Sequence, residues 1–201
     1  MVAQKIDQCM RPHGSEGIKT IQNMNENHKE ISEFVFKCIN VGENDRILDI
    51  GCGGGVNIEK FLKLTEKNVD GLDYSEVSVA ESQKRNESTG RCQVIKANVC
   101  DMPICDETYD LVSAFEIIYF WPEISETFKE VSRIIKPHGQ FMIAQGTDGN
   151  HPDDEKWLAT VEGMRVYTAP ELKKYLLNAG FMSVKSYIKE NDYIMVVIAR
   201  K

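Results

Sequence analysis

The stretch Arg46-Ile-Leu-Asp-Ile-Gly-Cys-Gly-Gly-Gly55 decides the fold. Its first half is short and mostly apolar, as in a buried strand, and its second half is a cluster of glycines. Helical spacing returns over residues 56–64. A strand that passes through glycines into a helix lets the backbone approach a ligand closely and points N–H groups at it. We therefore expect a ligand-binding turn here, at the carboxyl end of the strand.

Two classes of ligand compete for this turn. A dinucleotide fingerprint requires the spacing GxGxxG, and from Gly51 the chain has Gly53 but then Val56 in place of the third glycine. Asp49, two residues before the first glycine, is also unfavourable beside an anionic pyrophosphate. The acid suits a cationic or amine-bearing ligand better, so the pattern disfavours a dinucleotide.

Strand and helix patterns alternate along most of the chain. Apolar runs predict strands over residues 46–50, 69–73, 93–97, 109–115 and 140–144, and apolar periodicity predicts helices over 56–64, 75–87 and 123–135. The last of these helices should stop at Lys136-Pro-His-Gly139, where Pro and Gly both disfavour continuation. This alternation indicates βα units, and hence an α/β fold with a mainly parallel sheet and helices on both faces.

The two ends of the chain depart from this alternation. A helix over 169–179 precedes strands over 182–189 and 193–200, whose tight connection predicts an antiparallel hairpin. One helix is expected over 18–40, after an irregular lead-in over 1–17, and residues 146–167 form an insertion with a short helix near 153–161. We therefore divide the chain into an N-terminal lid (1–40) and one ligand-binding domain (41–201).

Composition limits the classes of partner. The 201 residues carry 24 Lys and Arg against 31 Asp and Glu, a net charge of −7, which disfavours nucleic acid as the main partner. No apolar run is long enough to span a bilayer, and the N-terminus lacks the apolar region of a secretory signal. The six cysteines have no CxxC spacing, so we expect reduced thiols and no metal site. Taken together, these features predict a cytoplasmic protein that does not bind membranes, and we expect a monomer or a homodimer.

The glycine turn resembles motif I of the class I S-adenosylmethionine-dependent methyltransferases, in which an acid precedes GxGxG. Further segments match this class in the correct order. Residues 71–75 resemble its second strand and terminal acid, 97–110 its adenine-binding segment, and 130–139 the helix and turn before the fifth strand. Residues 167–181 resemble the last helix of small-molecule methyltransferases of this class, and the chain as a whole resembles the ubiquinone/menaquinone-methyltransferase-like type.

This resemblance, over about residues 40–201, implies both a fold and an activity. The fold is a Rossmann-like class I methyltransferase sandwich, with a seven-stranded, mainly parallel sheet in the order 3-2-1-4-5-7-6, a C-terminal hairpin and an N-terminal lid helix. The activity is transfer of a methyl group from S-adenosylmethionine to a small-molecule acceptor by in-line displacement, with S-adenosylhomocysteine as the product.

The resemblance also implies residue roles. Gly51 and Gly53 would pack along the methionine portion of the cofactor, with Asp49 near its ammonium group, and Asp73 would accept both ribose hydroxyls. Tyr74 would stack on the adenine. The remaining expected cofactor contacts in this region are Cys52, Asn98, Val99 and Phe115. Met24 is a further expected contact, because the polar cluster that interrupts its helix suggests an N-terminal segment that lies over the crevice as a lid. Asn98 replaces the Asp that usually accepts from the adenine amino group, and the Val99 N–H would meet a ring nitrogen.

The acceptor is harder to predict, because methyl transfer relies largely on positioning and needs a base only when the acceptor must lose a proton. Glu116, just beyond the fourth strand, is the first candidate base, and His28, in the lid, is the second. Tyr119 and Trp121 are candidates for the wall of an acceptor pocket.

Two other functions stay open on the sequence. A sensor or partner subunit that binds the cofactor without turnover would keep the same glycine turn and acids. An aminopropyltransferase on the same fold is expected to hold a polyamine with several acids beside the fourth strand, where Glu116 alone is available.

Overall fold

The structure is a computed structural model that describes residues 8–201. Within this range the strands form one sheet in the order β3-β2-β1-β4-β5-β7-β6. Their bounds are β1 Ile47–Ile50, β2 Val69–Asp73, β3 Val94–Lys96, β4 Tyr109–Phe115, β5 Ile135–Gln145, β6 Ser183–Ile188 and β7 Met195–Arg200. Neighbours among β1–β5 are parallel, whereas β7 pairs antiparallel with both β5 and β6. The predicted strand order and C-terminal hairpin are therefore confirmed.

Helices cover both faces of this sheet. Their bounds are α1 Gly14–Asn27, α2 Lys29–Cys38, α3 Val56–Phe61, α4 Glu76–Asn86, α5 Ile124–Ile134, α6 Asp154–Thr160 and α7 Ala169–Asn178. Side chains of α5 and α7 pack in one buried cluster, and side chains of α2 and α3 pack in a second. No helix within residues 8–201 is long and apolar enough to cross a membrane.

The alternation of side chains along the central strands assigns each residue to one of these two clusters. Leu48 and Ile50 of β1 pack with the α5–α7 cluster, whereas Ile47 packs with the α2–α3 cluster. By the same alternation, Asp49 of β1 and its register partner Ser113 of β4 point to the α2–α3 side of the sheet. Because β1, β2 and β4 are parallel neighbours, their carboxyl ends open at one edge, where ligands bind in such sheets.

The N-terminal part differs from the prediction. The single helix expected over 18–40 is two helices, since the backbone of His28 (φ −90°, ψ 7°) leaves helical geometry between α1 and α2. The physical cause is the polar run 25–30, which interrupts the apolar stripe and lets each helix bury its own face. The irregular lead-in is also wrong over 8–10 and 14–17, which are helical, and its residues 1–7 lie outside the described range.

The turn expected at Lys136-Pro-His-Gly139 is the irregular start of β5. This strand begins at Ile135, directly after α5, and its pairing with β4 shifts register between Tyr109 and Leu111. His138 has a positive φ of 67°, and its N–H donates to the carbonyl of Lys201. Lys201 therefore pairs with a segment whose own sequence predicts a turn. A local sequence pattern does not reveal this long-range pairing.

Candidate active site

A cavity of about 400 Å³ opens at the carboxyl ends of β1, β2 and β4. The N-terminal segment and the start of α2 cover it, because residues 9–12 and 28–29 belong to its wall. Most of the candidate site residues line this cavity: Met24, His28, Gly51, Cys52, Gly53, Asp73, Tyr74, Asn98, Val99, Phe115, Glu116 and Trp121. Asp49 and Tyr119 do not line it. The topology thus gathers residues from distant parts of the chain around one space.

The glycine turn supplies backbone to the floor of the cavity. Gly51, Gly53 and Gly55 all have positive φ angles, of 68°, 51° and 72°. A Cβ on Gly55 would lie 2.5 Å from both Asn86 Nδ2 and Ser82 Oγ, whereas a Cβ on Gly53 would have no atom within 4 Å. Gly55 therefore serves close packing of the turn on α4, and Gly53 leaves the cavity open.

We expect alanine at these two glycines to have different effects. Gly55→Ala combines a strained φ with overpacking and should lower the free energy of unfolding by about 2–4 kcal/mol. Gly53→Ala carries only the backbone strain, about 1–2 kcal/mol, but its methyl group occupies ligand space. Urea unfolding of both variants, with ligand titrations of Gly53→Ala, checks this expectation. Equal stability losses would contradict it.

Asp73 ends β2 and organises the turn around it. Its Oδ2 accepts from the Gly53 N–H at 2.9 Å, and its Oδ1 accepts from the Ser75 N–H at 2.8 Å. Burial raises the pKa of Asp73, although these backbone N–H donors act in the opposite direction. Asp73 also lines the cavity, so its carboxylate is available to accept from hydroxyl groups of a ligand there.

Residues beside Asp73 form the adjoining wall. Tyr74 is 51% exposed, and the Arg11 guanidinium lies 4.3 Å from its ring centroid. Asn98 Oδ1 accepts from the Cys100 N–H at 3.0 Å, which closes a local turn. The amide oxygen expected to read the adenine is therefore already engaged, and it has one lone pair left for a ligand.

Asp49 lies beneath the glycine turn, 2% exposed and outside the cavity wall. Its Oδ1 accepts from Ser113 Oγ at 2.7 Å, and burial raises its pKa to about 7. Because Asp49 does not line the cavity, its carboxylate acts on a ligand there through its charge and not through direct contact. Cys52 is buried, and burial raises the pKa of its thiol, which disfavours the reactive thiolate.

Glu116 is held in an uncommon backbone conformation directly after β4, with φ at 54°. Its Oε1 accepts from the Tyr119 hydroxyl at 3.0 Å and from the Gly146 N–H. Burial raises the pKa of Glu116 to about 7. Tyr119, which does not line the cavity, therefore orients the carboxylate that does.

We expect Glu116→Gln to change how stability depends on pH. The usual pKa of 4.5 applies in the unfolded chain and about 7 in the folded protein, so the folded state binds the extra proton between these values. Stability contributed by Glu116 is present below pH 4.5 and is lost as pH rises through 7. The loss is at most about 3 kcal/mol, which is the free energy that corresponds to this pKa difference.

Urea unfolding of wild type and Glu116→Gln at several pH values measures this. The difference in unfolding free energy should move in favour of the variant as pH rises from about 4.5 to 8. Glu126→Gln is the matched control, since Glu126 is exposed on α5 and pairs with Lys129. A constant difference across this range would show that Glu116 titrates normally.

The N-terminal helices and their junction contribute Met24 and His28 to the cavity. Burial lowers the pKa of His28, which favours the neutral imidazole and leaves one ring nitrogen able to accept a proton. Trp121, which also lines the cavity, stacks on Phe141 with ring centroids 6.2 Å apart. An aromatic core residue thus fixes one wall of the cavity.

Several cavity residues were not found from the sequence: Arg11, Lys29, Ser32, Asn57 and Lys60. The sequence could have indicated Asn57 and Lys60. They are three residues apart on the helix that follows the glycine turn, so their side chains share one face of that helix. Arg11 and Ser32 gave no such signal, since their positions depend on how the N-terminal segment folds over the domain.

Comparison with known proteins agrees with this architecture. Residues 48–143 match the family described as "Methyltransferase domain". A curated relative, cycloartenol-C-24-methyltransferase 1 of Oryza sativa subsp. japonica, is 27% identical over 133 residues, which are 65% of this chain and 39% of the relative. The chain spans less than half the length of this and the next two curated relatives.

Solved structures share the fold over almost the whole chain. A putative methyltransferase from a Haloferax volcanii complex with the Trm112 activator superposes with a TM-score of 0.81 and 18% identity, covering 90% of this chain and 92% of that one. Phosphoethanolamine N-methyltransferase 2 of Haemonchus contortus, solved with phosphomonomethylethanolamine and S-adenosylhomocysteine, gives 0.77 and 13%, covering 91% and 57%. Residues 48–143 are therefore similar to a methyltransferase domain, and the chain has the class I, Rossmann-like methyltransferase fold.

Proposed function

We propose that this chain is an S-adenosylmethionine-dependent methyltransferase that transfers a methyl group to a small-molecule acceptor and releases S-adenosylhomocysteine. The observation that carries the proposal is the cavity, in which the open glycine turn, the Asp73 carboxylate and the Glu116 carboxylate face one space. The matched methyltransferase family and the fold of the relatives support the same activity.

The cofactor assignment uses residues that line the cavity. Asp73 accepts the two ribose hydroxyls, and the backbone of Gly51 and Gly53 runs along the methionine portion. The buried charge of Asp49 favours the ammonium group from beneath the turn. Tyr74, Asn98 and Val99 surround the adenine, and Cys52, Phe115 and Met24 complete the contacts. Every member of this set except Asp49 lines the cavity.

The acceptor is proposed to be small. A volume of about 400 Å³ lies near the lower end of ligand pockets, which limits what fits beside a cofactor. Trp121 forms one wall, and Tyr119 lies behind Glu116. We further propose that the chain is of the ubiquinone/menaquinone-methyltransferase-like type, which its motifs as a whole resemble. The curated relative named above, a sterol methyltransferase by name, also supports a small-molecule acceptor.

Glu116 is proposed as the base for an acceptor that must lose a proton. Its Oε1 is occupied by Tyr119 and Gly146, so Oε2 is the oxygen with acceptor capacity for the substrate. A pKa of about 7 suits proton abstraction near neutral pH. His28, which also lines the cavity, is the second candidate.

Two observations bear on where and how the protein acts. The six cysteines are free thiols, which supports the proposal of a cytoplasmic enzyme.

Asp73 and Glu116 are the acids that line the cavity among residues 8–201. This acid content is less than an aminopropyltransferase needs for a polyamine, and it favours methyl transfer.

Calorimetric titration of ligand-free protein tests the proposal. We expect saturable binding of S-adenosylmethionine and S-adenosylhomocysteine and no binding of NAD. Incubation with methyl-labelled S-adenosylmethionine and pools of small-molecule acceptors then distinguishes an enzyme, which transfers label, from a sensor, which binds without turnover. Absence of binding in the first step would overturn the cofactor assignment.

A further inference from the structure

Gln145 is the last residue of β5 and is completely buried, yet its carboxamide is unpaired. Among residues 8–201, neither Nε2 nor Oε1 of Gln145 has a hydrogen-bond partner. A buried polar group without a partner destabilises a fold, so a residue of this kind needs a physical explanation. The neighbours of Gln145, at the carboxyl ends of β4 and β5, supply one.

These neighbours hold the carboxylate of Glu116. The Glu116 N–H donates to the carbonyl of Ala144 at 2.9 Å, which places Glu116 beside the end of β5. The Gly146 N–H and the Tyr119 hydroxyl both donate to Glu116 Oε1. Because these two donors use both lone pairs of Oε1, a proton added to Glu116 binds Oε2.

The hydroxyl of Tyr119 is held as a donor. Burial and the charge of Glu116 raise the pKa of Tyr119 well above its usual value, so the hydroxyl keeps its proton. Gln145 and the Gly146 N–H lower the same pKa, as donors that face the phenolic oxygen do. The O–H of Tyr119 therefore points away from these donors and toward Glu116 Oε1, 3.0 Å away.

Within residues 8–201, no charged side chain competes for Glu116. None of the described ion pairs includes it. Burial raises its pKa to about 7, and the Gly146 and Tyr119 donors oppose this rise. The other charged or basic side chains that line the cavity have no described hydrogen bond to Glu116: Arg11, His28, Lys29, Lys60 and Asp73.

We propose that Gln145 is a positioning residue for Glu116, because its amide dipole keeps the Tyr119 hydroxyl directed at Oε1 and so leaves Oε2 for the proton of the acceptor. This inference rests on the proposed function, in which Glu116 is the base. When Oε2 takes that proton, the electron pair of the broken bond stays on the acceptor atom. That atom attacks the methyl carbon, and the pair of the broken carbon–sulfur bond passes to sulfur. Gln145 does not line the cavity, so it acts only through Tyr119.

Carbon-13 NMR of ligand-free protein labelled at the glutamate carboxyl carbons tests the proposal. The pKa of Glu116 is read from the signal that is absent in Glu116→Gln. Gln145→Met keeps the size of the side chain and removes its dipole. We expect the proton affinity of Glu116 to rise about two- to three-fold, because loss of one member of a hydrogen-bond chain weakens the next bond by about 10–30%. Tyr119→Phe removes the donor itself and should raise the affinity at least about ten-fold.

Gln140→Met is the matched control, because Gln140 is on the same strand as Gln145 and does not line the cavity. It should leave the pKa of Glu116 unchanged. Urea unfolding separates positioning from a purely structural role, since Gln145→Met should be at least as stable as wild type once the unpaired group leaves the core. Gln145→Leu is a second apolar replacement with the same expected result. An unchanged pKa of Glu116 in both Gln145 variants would overturn the proposal, whatever their stability.

Titration of wild type with S-adenosylhomocysteine tests the proposed function separately, because the NMR measurement needs no ligand. Binding of S-adenosylhomocysteine together with an unchanged Glu116 pKa in the Gln145 variants would overturn only the role of Gln145. The expected order of pKa values in a protein that binds no S-adenosylhomocysteine would overturn the proposed function and support the positioning of Glu116 by Gln145.

Discussion

Replacing Asp73 by alanine is expected to weaken binding of S-adenosylhomocysteine by at least about 100-fold. The proposed contacts are two hydrogen bonds from ribose hydroxyls to an ionised carboxylate, each worth about 1.5–3 kcal/mol. The substitution also removes the acceptor that holds the Gly53 N–H at 2.9 Å, so the glycine turn loses part of its support. Both effects weaken the same complex. Isothermal titration calorimetry with the folded variant measures the loss.

The control for this result is Glu76→Ala. Glu76 follows Asp73 by three residues, begins α4 and pairs with exposed Lys96 outside the cavity. It should bind S-adenosylhomocysteine like wild type. Circular dichroism at the titration temperature verifies that each variant is folded. Near-wild-type affinity of a folded Asp73→Ala protein would mean that the ribose lies elsewhere.

Replacing Phe141 by alanine is expected to have the largest effect on stability, a loss of about 3–5 kcal/mol. Phe141 is fully buried on β5 and contacts three aromatic rings: Trp121 at 6.2 Å, Phe181 at 6.1 Å and Phe128 at 5.7 Å between centroids. Removal of the ring leaves a cavity among groups that belong to different elements and cannot close together. Urea unfolding at equilibrium measures the loss.

The same substitution should also disturb the cavity wall, because Trp121 forms part of that wall and stacks on Phe141. Tyr187→Ala is the matched control, since Tyr187 is a 38% exposed aromatic residue on the edge strand β6. Its replacement should change stability by less than about 0.5–1 kcal/mol. Similar losses for the two variants would contradict the assignment of Phe141 to the central core.

The sheet was predictable because its strands are local and strongly apolar. Residues 69–73 and 109–115 coincide with the bounds of β2 and β4. The glycine turn was equally clear, since positive φ angles at Gly51, Gly53 and Gly55 are needed where the backbone turns. These features depend on short stretches, so sequence patterns describe them well.

Features that depend on contacts between distant segments were not predictable. The break at His28 reflects how α1 and α2 each pack on the domain, and the start of β5 at Ile135 reflects pairing across the sheet. We expected the Asn98 side-chain oxygen to accept from the cofactor. In the structure the same oxygen accepts from the Cys100 N–H, a contact that the sequence did not indicate. The hydrogen bonds that Ser32 of α2 makes with Asn57 and Lys60 of α3 likewise join residues that are far apart in the chain.

The most direct test of the account is a crystal structure of the protein with S-adenosylhomocysteine. We expect the ligand in the cavity at the ends of β1, β2 and β4, with both ribose hydroxyls at hydrogen-bond distance, about 2.5–3.0 Å, from Asp73. Its methionine portion should follow Gly51 and Gly53, with the sulfur oriented toward the space beside Glu116. A ligand bound outside this cavity, or one whose ribose does not contact Asp73, would contradict the central claim.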